Sequence, residues 1–170
     1  MSEEIYIYAD AWDKKSVEHT GELVHIVKNS EITLPMTVFT LASTKEAEKF
    51  SFDTVSVLSI ESQVEEWEDD AAADVLAGVL KEKKPHYILI PATAKARSVF
   101  ARVAAILGIG MTADCTELFA KEGKLLAKKP AFGNFTMVTL HNEGEMGIYS
   151  VMMGRVAAEE AGTAKEVVTI

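Results

Sequence analysis

Cysteine occurs once in the 170 residues, at Cys115, so an internal disulfide is excluded, and packing in a strand is the expected place of this thiol. Four histidines, His19, His25, His86 and His141, do not combine with it at zinc spacing, so no metal ligand is assigned. Positive charge is also short: 17 Lys and Arg stand against 26 Asp and Glu, a net charge of −9. Nucleic-acid phosphates and anionic membrane surfaces would repel such a chain. No apolar run approaches the roughly 18 residues that span a bilayer. The opening MSEEIYIYAD is acidic where a signal peptide is basic, which makes the cytoplasm the expected compartment. Walker and dinucleotide glycine motifs are missing, as is any Ser/His/Asp grouping. A self-sufficient enzyme is therefore not expected, and no catalytic residue is assigned.

What the sequence does contain is material for one α/β domain with a substantial core. A β-branched and aromatic run over 5–10 predicts a first strand. Val17, Leu23, Val24 and Val27 then share a helical face, while Lys14, Lys15, Glu18, Glu22 and Lys28 fall elsewhere. His19 and His25 lie six apart on this helix, not on one face, and read as solvated. Strands follow over 36–42 and 55–60, with a short helix between them capped by Ser43 or Thr44. The acidic stretch 61–70 reads as a solvated helix start, with Trp67 in it as a partner contact or a plug over the sheet edge. An alanine-rich helix over 71–84 stops at Pro85, and 86–90 is the next strand. Strand and helix alternate to this point, which predicts parallel strands with right-handed crossovers.

The turn 91–98, PATAKARS, leads from that strand into a helix and has two readings. In one, Thr93 and Ser98 supply hydroxyls, and Lys95, Arg97 and the helix N-terminus supply positive charge, together holding a phosphate or carboxylate. In the other, Ser98 only caps the helix and Arg97 pairs with a surface acid. Thr93, Arg97 and Ser98 are the candidate binding residues.

After Gly108 and Gly110 the alternation ends. Four strands are expected, over 111–118, 124–128, 134–141 and 146–153. The last two are joined as a hairpin through 141–145, and antiparallel strands are expected in the C-terminal third. Residues 1–156 form the expected domain, and 157–170 a linker-like tail with a final short strand over 167–170.

Two blocks carry a family resemblance. The run from Ala96 through Arg97, Ser98, Arg102, Val103, Ala104, Ala105, Leu107 and Gly108 leads into Gly110-Met111-Thr112-Ala113-Asp114-Cys115-Thr116. It resembles the stretch Gly-Arg-Asp-Leu-Ala-Pro-Arg-Val-Ala-Ala-Arg-Leu-Gly, then Thr-Gly-Leu-Thr-Ala-Asp-Cys-Thr, of the electron transfer flavoprotein α subunit. Downstream, Lys129-Pro130-Ala131-Phe132-Gly133-Asn134, with Met137 and Thr139, is similar to that family's Arg-Pro-Ala-Phe-Gly-Gly-Asn-Ile-Met-Ala-Thr. Departures are Ala96 for Gly, Ser98 for Asp, and Ser150-Val151-Met152-Met153-Gly154 where the family has Thr-Val-Arg-Pro-Gly.

The resemblance implies the N-terminal domain of such a subunit: a three-layer α/β fold with a parallel sheet, similar to the adenine nucleotide α-hydrolase (HUP-like) group. It implies electron transfer as a scaffold or partner domain of an FAD-carrying complex. The FAD would be held through a partner or through the family's following domain, which is not expected within these residues. The expected partner is a β-like subunit or a second copy. Late apolar residues, Met111, Phe119, Phe132, Phe135, Met137, Met152 and Met153, would supply the association face. The alternative is an adenine-nucleotide-binding module without redox activity, holding AMP in the turn after 86–90.

Overall fold

The computed structural model describes residues 2–170. Its first strand, β1 (Ser2–Tyr8), sends Ile5 and Ile7 to one face and Tyr6 and Tyr8 to the other, all of them buried. Burial on both faces is the mark of a parallel sheet covered on two sides. The chain continues through α1 (Ser16–Asn29), β2 (Met36–Leu41), the single-turn α2 (Thr44–Ala47) and β3 (Ser56–Ile60). Then come α3 (Asp69–Lys83), β4 (Pro85–Pro91), α4 (Ala94–Leu107) and β5 (Gly110–Cys115). Five more strands finish it: β6 (Glu117–Lys121), β7 (Lys124–Ala131), β8 (Thr136–Leu140), β9 (Gly147–Val151) and β10 (Glu166–Thr169).

Seven strands form one sheet in the order β10-β3-β2-β1-β4-β9-β5, with every pairing parallel. On one face α3 and α4 pack through Ala73, Leu76, Leu80, Val99, Phe100 and Val103. The spacing in α3 is that of an amphipathic helix. Tyr8 meets Phe39 and Phe100 there as tilted rings, with Tyr8 and Phe100 centroids 4.8 Å apart, and Phe39 meets Phe100 edge-on. On the other face lie Leu23, Val24 and Val27 of α1, with Phe50 and Phe52. Three layers result, as expected.

The C-terminal third adds antiparallel strands, as expected, but not at the edge of the main sheet. Only β6, β7 and β8 are antiparallel, and they make a separate three-stranded sheet in the order β6-β7-β8. Its inner side joins the α1 layer through Leu118, Leu125 and Ala127, and the Leu125 N–H donates to the Tyr87 hydroxyl at 3.1 Å. The expected strand over 111–118 is broken in two. Asp114 takes a positive φ of 58° and shifts the register, so 110–115 stays in the main sheet while 117–121 leaves it.

The expected hairpin between 134–141 and 146–153 does not form. β9 instead slots between β4 and β5, where all five of its residues are buried. Water-facing β8 has no such cover. The turn before β9 is held by Asn142, whose N–H donates to the Tyr149 hydroxyl at 2.9 Å and whose Nδ2 donates to the Met146 carbonyl at 2.6 Å.

The final residues lie along the body of the domain. Glu159 accepts from Lys28 at 3.1 Å and lies 3.1 Å from His25 Nδ1, and its N–H donates to the Gly21 carbonyl. A Cβ on Gly21 would stand 2.6 Å from the Glu159 carbonyl oxygen, so only glycine admits this approach. β10 then pairs with β3 at the far edge of the sheet.

Candidate functional site

Strand order reverses between β1 and β4: from β1 the chain moves outward to β2 and β3, and from β4 it moves the other way. In open α/β sheets the crevice at this reversal, outside the carboxyl ends of the strands, is where ligands bind. Here it is a pocket of about 590 Å³. α1 contributes His19, α4 with its preceding turn contributes Thr93 and Arg97, β5 contributes Asp114, and β7 contributes Lys129; Met152 and Met153 form an apolar wall.

Each polar wall residue has a local cause. Thr93 is extended (φ −77°, ψ 157°) and caps α4, its hydroxyl accepting from the Ala96 N–H at 3.1 Å. Arg97, one turn on, donates from Nη1 to Asp114 Oδ1 at 2.9 Å. Both side chains of that pair are more than 40% exposed, so water screens it and it holds Arg97 only weakly. Lys129 has no carboxylate or hydrogen-bond partner among the described residues.

Of the three candidate residues, Thr93 and Arg97 line the pocket and Ser98 does not. The Ser98 hydroxyl donates to Asp69 Oδ2 at 2.6 Å, on the side of α4 that faces α3. Its expected role as the helix cap belongs to Thr93, because α4 starts one turn earlier than that reading requires. Lys95 likewise turns away, to Asp69 at 2.5 Å, to the Glu66 carbonyl and over the Trp12 ring. Its bond and that of Ser98 hold the Asp69 carboxyl below its usual range. Ala96, where the family pattern has Gly, is buried against α3.

Asp10 lies just past the end of β1. It is 2% exposed, and Oδ1 accepts from the Trp12 N–H at 3.1 Å. Burial is the main force that pushes its carboxyl up to about 6; Asp13 and Glu66 add to this, and the Trp12 bond and Lys95 oppose it.

The two helix histidines are not solvated, contrary to expectation. His19 Nδ1 lies 2.5 Å from Asp13 Oδ2, with the two side chains only 15% and 17% exposed, and His25 meets Glu159. Both partners lie off the helix, in the preceding turn and in the returning tail, so helical spacing alone gives no sign of them. Glu22, expected at the surface, is buried and accepts from the Gly154 and Arg155 N–H groups at 2.7 and 3.3 Å. Trp67 is 79% exposed and plugs nothing. Cys115 is buried as expected, which pushes its thiol up to about 12 and leaves it unreactive. Among the described residues, no helix is long and apolar enough to cross a membrane.

The family model of the electron transfer flavoprotein domain matches residues 32–170. An electron transfer flavoprotein subunit alpha of Clostridium acetobutylicum is 29% identical over 144 residues, covering 80% of this chain and 43% of the relative. Protein FixB of Clostridium saccharobutylicum is 41% identical over 73 residues, covering 42% of this chain and 22% of that protein. The LctC subunit of a lactate dehydrogenase (NAD(+),ferredoxin) from Acetobacterium woodii is 32% identical over 123 residues, 72% of this chain and 29% of the relative. In each case the match spans less than half of the relative's length.

Proposed function

The chain belongs to the electron transfer flavoprotein domain family, and we propose that it serves as the α-type partner domain of an FAD-carrying electron-transfer complex. The observation that carries this reading is an apolar ridge on the β7–β8 hairpin. Phe132 and Phe135 are 81% and 91% exposed, and Met137 follows in β8 at 54%. Phe132 is held out by a backbone φ of 50°, a region that bulky residues rarely enter and that costs on the order of 1 kcal/mol or more. Fully burying one such ring contributes about 1.5–3 kcal/mol, so a partner surface has much to gain here.

The partner we propose is a β-type subunit of the same family. In this reading the domain is a carrier component in the cytoplasm and not a self-sufficient catalyst. The pocket does not fit a whole FAD: Arg97 and Lys129 suit a phosphate, but no Phe, Tyr or Trp lines its walls to stack on a flavin ring. The ring would be enclosed by residues outside this chain, and no electron-transfer step is assigned to the pocket.

The test is association with a purified β-type subunit, followed by sedimentation. Phe132→Ser with Phe135→Ser is expected to weaken it by about tenfold or more, because exposed aromatic anchors dominate such interfaces. Folding should be unchanged, since neither ring touches the core. Undiminished association would refute the ridge as the docking face; association of the chain with itself instead would make a second copy the occupant.

A second reading concerns the pocket itself. The gathering of Thr93, Arg97 and Lys129 at the strand reversal favours binding of a phosphate-bearing ligand of mononucleotide size, with AMP as the probe. Arg97→Ala is expected to lower AMP affinity about tenfold, the scale of one charge-assisted hydrogen bond. Ser98→Ala should leave affinity unchanged, because its hydroxyl is committed to Asp69. Equal losses in both variants would put the ligand elsewhere.

A further inference from the structure

Trp67 is 79% exposed, yet it does not stand in a loose loop. The residue before it is fixed, because Lys95 Nζ donates to the Glu66 carbonyl. The residue after it is fixed as well: the Glu68 N–H donates to the Glu65 carbonyl at 3.0 Å, and Glu68 Oε2 accepts from the Glu65 N–H at 2.9 Å. Glu68 also opens α3, its carbonyl accepting from the Ala72 N–H. A turn anchored on both sides therefore holds an indole in water, where its large apolar surface is unfavourable.

The indole stands at one end of a trough along the outer seam of α3 and α4. The first part, about 480 Å³, is bounded by Trp67, Ala71 and Arg102. The second, about 330 Å³, shares Asp70 and Arg102 with it and is floored by Ala73, Ala105 and Ile106. Ile106 is 52% exposed, a second apolar anchor one helical turn beyond Arg102. Six carboxylates flank the turn and the trough, those of Glu65, Glu66, Glu68, Asp69, Asp70 and Asp74, against two cations, Lys95 and Arg102. Both cations are already engaged, Lys95 by Asp69 and Arg102 by Asp70. Among the described residues, the side chains of Glu65, Glu66 and Asp74 have no hydrogen-bonded or ion-paired partner.

We propose that this trough docks a basic amphipathic helix of a partner protein, with Trp67 and Ile106 as its apolar anchors. Two helices packed side by side offer a groove that a third helix fills, and apolar anchors flanked by charge are how such a groove is recognised. Charge selects the occupant. A Lys or Arg over the indole gains a cation–π contact, which is strongest on Trp, while the unpaired carboxylates take its neighbours. An acidic helix, or a second copy of this chain with its net charge of −9, would be repelled. The trough lies on the α3–α4 face of the main sheet, whereas the β6–β8 sheet joins the α1 layer on the other face, so this surface does not overlap the Phe132–Phe135 ridge.

The probe is a designed helix of about 14 residues, roughly four turns, built of Leu and Lys, compared with one of Leu and Glu, each titrated calorimetrically into the whole chain. The Leu/Lys helix should bind, and Trp67→Ala should weaken it by about tenfold, with Trp67→Phe restoring part of the loss. Ile106→Asn should weaken it by about fivefold, and both side chains are exposed, so the fold should be unaffected. Raising salt from about 0.05 M to about 0.5 M should lower the wild-type affinity several-fold. Unchanged binding by Trp67→Ala overturns the proposal. Equal binding of the Leu/Glu helix does so too, because charge would then select nothing. Loss of binding on Phe132→Ser with Phe135→Ser would move the helix to the ridge and also overturn it. Self-association of the wild type that Trp67→Ala abolishes in sedimentation would make a second copy the occupant and overturn the basic partner.

Discussion

Replacing Asp10 with asparagine is expected to stabilise the domain by about 3 kcal/mol at pH 7, read as a rise in Tm of roughly 6–10 °C. Burial holds the Asp10 carboxyl at about 6, against an ordinary 3.8. Each pH unit between the folded and unfolded values is worth about 1.4 kcal/mol. Because the folded value is the higher one, the group's favourable contribution is complete below pH 3.8 and is lost as pH rises through about 6. Above that, the fold carries an ionised carboxylate that burial disfavours. Asparagine keeps the acceptor oxygen for the Trp12 N–H and removes the charge. The two proteins should therefore converge near pH 4 and separate above pH 6. Comparing them also cancels the opposite trend from Asp69 and Glu159, whose lowered values cost stability on acidification. A difference that does not vary with pH would show that Asp10 titrates as a solvated group.

The second large effect is expected at Gly147. A Cβ there would stand 2.6 Å from Asn142 Nδ2 and 2.7 Å from both Cβ and Cγ of the same residue. Asn142 cannot withdraw, because its backbone N–H is bonded to Tyr149 and its amide to the Met146 carbonyl. Gly147→Ala should destabilise the protein by about 3 kcal/mol, the upper range for overpacking a tight site. Adding Asn142→Gly removes the obstacle, so the double variant should recover much of the loss in denaturant unfolding. Simple additivity of the two changes would mean that the side chains do not meet.

These two sites also mark where the sequence was legible and where it was not. α3 and β4 could be read directly, since their alanine and leucine spacing, the acidic start and Pro85 act within a few residues of one another. β9 could not. GIYSV after a glycine-bearing turn looks like the second arm of a hairpin, and nothing local says that Ile148 pairs with Ile88. Thr93 and Arg97 fall beside the crevice because a strand, a turn and a helix follow in sequence. Ser98, one residue beyond Arg97, is turned about 100° around the helix axis and faces Asp69 instead. Lys129 and His19 arrive from elements far apart in the chain, and only the folded sheet brings them together.

The position of β9 also sets an order of assembly. β4 and β5 do not pair with each other; the strand between them is made last of the three. Until position 151 has left the ribosome, the right half of the sheet is an open slot with an unpaired ladder on each side. Pairing across such sequence distance is slow to form. A nascent chain would expose those edges for as long as synthesis of β6, β7 and β8 takes, which makes that interval the one in which chaperones or early association would matter most.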